Sequence, residues 1–176
     1  MAARLLKDKG IYEFVEASKV LARRGVAVTF RVLGDVDPHN SSSVTAADLE
    51  HWKKTTGVEF LGYREEISEQ YAQAHIVCLP SYREGLSKSL LEGAACGRAL
   101  VTTDVPGCRD ALEPGKTGIL VPVKDSVALA DAIQELAENP TLRRSMGESG
   151  RALAEKEFST EKIVGQHLAI YRELCK

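Results

Sequence analysis

The chain has 176 residues, 44% hydrophobic and 27% charged, with a formal charge of -2. That is enough for one soluble domain with a real core, and it excludes a general electrostatic affinity for nucleic acid or an acidic membrane. The cysteines Cys78, Cys96, Cys108 and Cys175 form no C-x-x-C pair, which argues against a disulfide scaffold or a zinc site. Cys78 and Cys96 lie in apolar runs and read as core thiols suited to a reducing cytosol.

In chain order, "AARLLKDKG" after Met1 carries no opening strand. Residues 10–24 place Ile11, Phe14, Val15, Ser18, Leu21 and Ala22 on one helical face, with Gly25 as the stop. "VAVTFRVLG" (26–34) is a buried strand and "DVDPHNSSSV" a polar loop. Residues 45–57 are a short helix with Thr45 as cap, "VEFLG" a strand, 64–74 a helix and "HIVCLP" a strand. The helix within "SYREGLSKSLLEGAACG", the strand "RALVTT", a turn at Pro106-Gly107 with a short helix, and the strand "GILVP" follow. Three helices close the chain, starting near Ser126, Pro140 and Ser159. Strands that alternate with helices imply a parallel sheet, and near-continuous apolar strands imply that both its faces are covered. The expected fold class is α/β, a doubly wound Rossmann-like parallel sheet in a single domain spanning residues 1–176. No internal repeat, linker or membrane span is evident.

In such sheets ligands bind at the carboxyl ends of strands. Glu84 and Glu92, eight positions apart, both follow "HIVCLP" and therefore sit at such an edge. Gly85 permits a tight turn, and the amides of Leu86, Ser87, Lys88 and Ser89 are the free donors of a helix N-terminus, which attract phosphate. Glu92 lies one turn further in and is suited to the two hydroxyls of a ribose; Glu84 is suited to the hydroxyls of a second sugar. Arg4 and Lys9 flank another helix start at Gly10, and a loop there lets both cations converge on one diphosphate without a metal.

Blander readings exist. Glu84 then merely favours its helix dipole, and Glu92 pairs with Arg98 or Arg109. Arg4 and Lys9 are then a solvated face, Tyr63 and Arg64 plain loop residues, and Lys88 a solvated lysine. His39, His51, His75 and His167 have no metal-like spacing. Gly115-Lys116-Thr117 mimics a phosphate loop, but a strand follows and the first glycine is replaced by Asp110. Asn40-Ser41-Ser42 fits a glycosylation sequon and carries little weight without a secretory signal.

Taken together, "ARLLKDKG", "VEFLGYRE", "HIVCLPSYREG" and "EGLSKSLLE" resemble the C-terminal, donor-binding domain of the family-4 retaining glycosyltransferases, across essentially the whole chain. The resemblance implies half of a two-domain GT-B fold. By position it implies that Arg4 and Lys9 bind the donor diphosphate and stabilise the leaving group, and that Glu84 contacts the donor sugar and Glu92 the ribose. It further implies that the Leu86 to Ser89 amides, beside Gly85 in the substrate-binding loop, meet the distal phosphate or sugar, that Tyr63 and Arg64 lie against the base, and that Gly34 permits close approach of the donor. The implied reaction is metal-independent transfer of a hexose or N-acetylhexosamine, with retention, from a nucleotide diphosphate such as UDP. No cofactor and no metal are expected. The implied partners are a nucleotide sugar, a glycan or lipid-linked acceptor and an N-terminal domain in cis or trans; nucleic acid is not among them. The expected location is cytoplasmic, or peripheral at the inner face of the membrane through that domain. The competing readings are a non-catalytic nucleotide-binding or interaction module, one chain of a split transferase, and a signalling receiver, which wants an acidic pocket instead.

Overall fold

The computed structural model of the chain describes residues 1–175. Helices alternate with short strands: α1 (Ile11–Arg23), β1 (Arg31–Val32), α2 (Ala46–Thr55), β2 (Glu59–Phe60), α3 (Ile67–Gln73) and β3 (Ile76–Leu79). Next come α4 (Lys88–Ala95), β4 (Ala99–Thr103), α5 (Pro106–Arg109), β5 (Gly118–Val121), α6 (Ser126–Glu138), α7 (Pro140–Phe158) and α8 (Thr160–Leu174). The α/β class and the parallel pairing agree with expectation. The single continuous sheet does not: β1 pairs with β2, β3 with β4 and β4 with β5, all parallel, as two separate sheets. The strands expected over 26–34 and 58–62 form a ladder only at Arg31–Val32 and Glu59–Phe60.

Local chemistry sets the ends of the elements. Gly10 caps α1 at φ 73°, and a Cβ there would lie 2.0 Å from the Pro80 carbonyl oxygen, so only glycine lets this loop approach the end of β3. Thr45 and Asp48 form a reciprocal capping box on α2. Ser87, Asp125, Asn139 and Ser159 cap α4, α6, α7 and α8 through their side chains. The buried face of α1 is Ile11, Phe14, Val15, Ala17, Val20 and Leu21. Ser18 is half-buried and Ala22 exposed, so neither belongs to that face, and α6 is the helix that packs most closely on α1.

The core centres on β4, buried along its whole length, with α6 and α7 packed over it. Burial pushes the Cys78 thiol up to about 12, which keeps it an inert core group. Met1–Leu5 form no strand, as expected, but they lie beside the end of β1, with Ala2 in an isolated parallel bridge to Leu33 and the Ala3 amide donating to the Leu33 carbonyl at 3.0 Å. Backbone pairing over so few residues needs no apolar pattern, so the sequence carries no sign of it. Helix α8 buries no residue and exposes Val164, Leu168, Ile170 and Tyr171. Among the described residues no helix is long and apolar enough to cross a membrane.

Candidate functional site

At the carboxyl edge of both sheets lies a cleft of about 660 Å³. Arg4, Gly34, Tyr63, Arg64, Lys88, Ser89 and Glu92, singled out from the sequence, all line it. The first four come from the loops around β1 and β2, and the last three from the first two turns of α4. Lys9 and Glu84 face each other in the adjoining loops. The Lys9 ammonium donates to Glu84 Oε1 at 2.7 Å, and the Ser81 hydroxyl donates to the same oxygen at 2.7 Å. Their loops are tied together by the Tyr82 amide, which donates to the Asp8 carbonyl at 2.8 Å, and by the close approach of Gly10 to Pro80.

Several expectations need correction. Arg4 and Lys9 each have a carboxylate partner of their own: Arg4 reaches Asp37 at 3.1 Å, and Lys9 pairs with Glu84. Glu92 is not a buried charge. It is 34% exposed at the cleft wall and pairs with Lys88 at 3.4 Å, one turn back on the same face. Neither Arg98 nor Arg109 is its partner: Arg98 donates to the Cys96 and Ala74 carbonyls, and Arg109 pairs with Asp104. The Ser89 hydroxyl donates to the Ala2 carbonyl at 2.8 Å and so accepts from the Tyr71 phenol, also at 2.8 Å. It is therefore spent on holding the opening segment in place. Burial pushes that phenol up to about 12, so it stays neutral. Ser87 is buried, and its hydroxyl caps α4 by accepting from the Leu90 amide.

The two glycines of the sequence reading owe their identity to other causes. Gly34, at φ 131°, is required by its own chain, since a Cβ there would sit 2.0 Å from the Ala3 carbonyl oxygen. Gly85 does not adopt positive φ and has open space around it. The constraint belongs to Gly107, whose Cβ would fall 1.5 Å from the Gly85 carbonyl oxygen. Leu86 and Tyr63 stand out into solvent. The Tyr63 amide donates to Asp35 at 3.0 Å, and Arg64 donates to the Tyr63 carbonyl, which shapes the outer lip of the cleft.

The sequence reading passed over Asp35, Asp37, Ser81 and Gly107. The two aspartates follow Gly34 at a carboxyl edge, and that position was the available signal. Ser81 lies only three positions from Glu84, so its contact was local, whereas the approach of Gly107 to Gly85 is distant in sequence and leaves no signal. The cleft thus presents exchangeable cations, the unpaired amides of Lys88 and Ser89 at a helix start, and a carboxylate one turn behind. That set suits a phosphorylated, hydroxyl-bearing ligand.

Residues 1–139 match the family described as glycosyl transferases group 1. The chain belongs to this family. Among its group 1 relatives is the capsular polysaccharide biosynthesis glycosyltransferase CapM of Staphylococcus aureus, 28% identical over 98% of this chain and 45% of that protein. Another is the N,N'-diacetylbacillosaminyl-diphospho-undecaprenol alpha-1,3-N-acetylgalactosaminyltransferase of Campylobacter jejuni, 31% identical over 100% of this chain and 44% of that protein. The solved sucrose-phosphate synthase of Thermosynechococcus elongatus superposes with a TM-score of 0.86 at 29% identity, over 98% of this chain and 44% of that one. The chain therefore spans a little under half the length of the relatives it matches. The resemblance drawn from the Arg-Lys loop and the paired glutamates holds for family and fold.

Proposed function

We propose that this chain is the donor-binding half of a retaining, metal-independent glycosyltransferase. It takes a hexose or N-acetylhexosamine from a nucleotide diphosphate, UDP by preference, and passes it to a glycan or lipid-linked acceptor held by an N-terminal domain in cis or trans. The observation that carries this reading is the single cleft in which Arg4, the start of α4 and Glu92 meet beside the Lys9–Glu84 pair. Family membership supports it, as do relatives named for polysaccharide synthesis and for transfer onto a diphospho-undecaprenol acceptor.

Arg4 exchanges Asp37 for the diphosphate, a swap between two anions that costs little for an exposed pair. The α4 amides receive the distal phosphate, and Glu92 leaves Lys88 to accept from the ribose hydroxyls. Both protein bonds to Glu84 fall on Oε1, so Oε2 is the oxygen left to accept from a sugar hydroxyl. When the anomeric bond breaks, its electron pair goes to the diphosphate oxygen, and Arg4 and Lys9 meet the growing charge. Loss of one such donor is worth about 10²–10³ in rate, by analogy with oxyanion-hole deletions. Glu84 is a hydroxyl acceptor in this scheme, not a covalent nucleophile. The protein works in the cytoplasm, peripheral to the membrane where its acceptor is a lipid.

Isothermal titration with UDP, UDP-glucose and UDP-GlcNAc, without divalent metal, tests the reading in the native chain, Glu84→Ala and Glu92→Ala. The expected result is saturable binding, weakened for all three ligands by Glu92→Ala and for the two sugar-bearing ligands alone by Glu84→Ala. Equal loss for UDP and its sugars on Glu84→Ala would favour a nucleotide-binding module without transfer.

A further inference from the structure

The loop that carries Glu84 leaves β3 at Pro80 and enters α4 at Ser87. Its outer residues Arg83, Gly85 and Leu86 are exposed, and Gly85 has open space around it. On one side the Glu84 and Gly85 carbonyls rest against Gly107. On the other side, besides the Lys9–Glu84 pair, the loop is tied down by Tyr82. The Tyr82 amide donates to the Asp8 carbonyl at 2.8 Å, and the Tyr82 phenol donates to Glu13 Oε1 at 2.7 Å. Asp8 precedes Lys9, and Glu13 lies in the first turn of α1, just beyond it. Tyr82 itself stands between Ser81 and Glu84, so its two bonds join the two halves of the Lys9–Glu84 pair.

Three features that cost stability gather at this phenol. Glu13 Oε2 and Asp8 Oδ1 are both buried with no hydrogen-bond partner among the described residues. Lys124, in the turn between β5 and α6, takes φ 60°, the left-handed region that side chains disfavour, and its ammonium lies 5.1 Å from the centre of the Tyr82 ring. Burial first, then the bond to Glu13 and the charges of Glu13 and Asp8, push the phenol well above the usual tyrosine range, so it stays neutral and donates. An apolar contact would hold a loop without these costs. Unpaired buried acceptors and left-handed side-chain-bearing residues persist where position matters more than stability.

We propose that Tyr82 and Glu13 are positioning residues for recognition of the donor sugar. They hold the loop against α1 so that Glu84 Oε2 meets the sugar while Oε1 stays on Lys9 and Ser81. Neither touches the ligand. The nucleotide is gripped elsewhere, by Arg4, the start of α4 and Glu92, and α4 is fixed by its own Ser87 cap and by the Ser89 bond to Ala2. Loosening the loop therefore falls on the sugar and spares the nucleotide. The inference rests on the proposed role of Glu84 as the acceptor for a sugar hydroxyl.

The test reads two quantities: the ratio of the UDP and UDP-glucose dissociation constants, by isothermal titration, and hydrogen exchange of the amide at position 82. Tyr82→Phe keeps the ring and removes only the hydroxyl. It is expected to cut the ratio about five- to tenfold and to leave UDP itself within about twofold. Exchange at position 82 should quicken about tenfold while the β4 amides keep their protection. Glu13→Leu should do the same, and the two changes together should do no more than either alone. Glu13→Gln keeps an acceptor for the phenol and should keep the native ratio. Faster exchange with an unchanged ratio would make Tyr82 a structural tie and overturn the proposal, as would no change in either quantity. Equal weakening of UDP and UDP-glucose would also overturn it. Glu84→Ala separates this inference from the reading beneath it. A ratio that falls with Glu84→Ala but not with Tyr82→Phe refutes the positioning role alone. A ratio that Glu84→Ala leaves unchanged refutes the sugar contact of Glu84, and the positioning role with it.

Discussion

Lys9 and Glu84 meet with only 22% and 12% of their side chains exposed, and Ser81 fastens the same carboxylate oxygen. Arg4, by contrast, reaches Asp37 from solvent with 63% of its side chain exposed and no third group to hold it. The two cations looked equivalent in the sequence. The structure gives one a fixed partner, which sets where the loops stand. It gives the other an exposed partner, of the kind that an anion can replace at little cost. A site built this way has its rigid part where geometry matters and its exchangeable part where ligand enters.

Removing one partner from each pair tests the contrast most severely. Glu84→Ala strands Lys9 in a largely buried position and should cost about 3 kcal/mol, the lower end of the range for broken buried pairs. Urea unfolding reads this directly, and a cost below that of an ordinary surface change would remove the distinction between the two ends. Ser81→Ala deletes a buried donor but leaves the ion pair, and should cost about 1 kcal/mol. The same unfolding series should place it clearly between the other two variants. Asp37→Ala should leave stability within about 0.5 kcal/mol, as usual for an exposed pair, and should tighten binding of UDP or inorganic pyrophosphate about two- to fivefold by freeing Arg4. Weaker anion binding in that variant would mean that Asp37 positions Arg4 rather than competing for it.

Much of this arrangement was legible. The helix caps Thr45 and Ser159 are local features, as is the helix start at Pro140, and each was read correctly from a few adjacent residues. The carboxyl-edge placement of Glu84, Lys88, Ser89 and Glu92 followed from one apolar strand and one capped helix. What escaped was long-range. Nothing near Lys9 announces a carboxylate at Glu84, 75 positions away. The Lys88–Glu92 pair is different: it is a local i,i+4 contact that helical spacing already offered. Gly85 looked like the glycine the backbone needed, but the constraint falls on Gly107 across the loop. The short ladders of β1 and β2 were not readable either: residues 26–34 and 58–62 are good strand sequences, yet they pair as a ladder only at Arg31–Val32 and Glu59–Phe60.

The contacts that define the ligand cleft also join distant parts of the chain. Lys9 and Glu84 are 75 positions apart, and Ala2 and Ser89 are 87 apart. Helix α1 and the capped α2 form from neighbours and are available early, whereas closing loops of that length is slow. On a ribosome, where residues emerge in order, the opening segment has to wait until α4 has been made before it finds its place. Ligand affinity should therefore be among the last properties this chain acquires as it folds, and its appearance would time the completion of the fold.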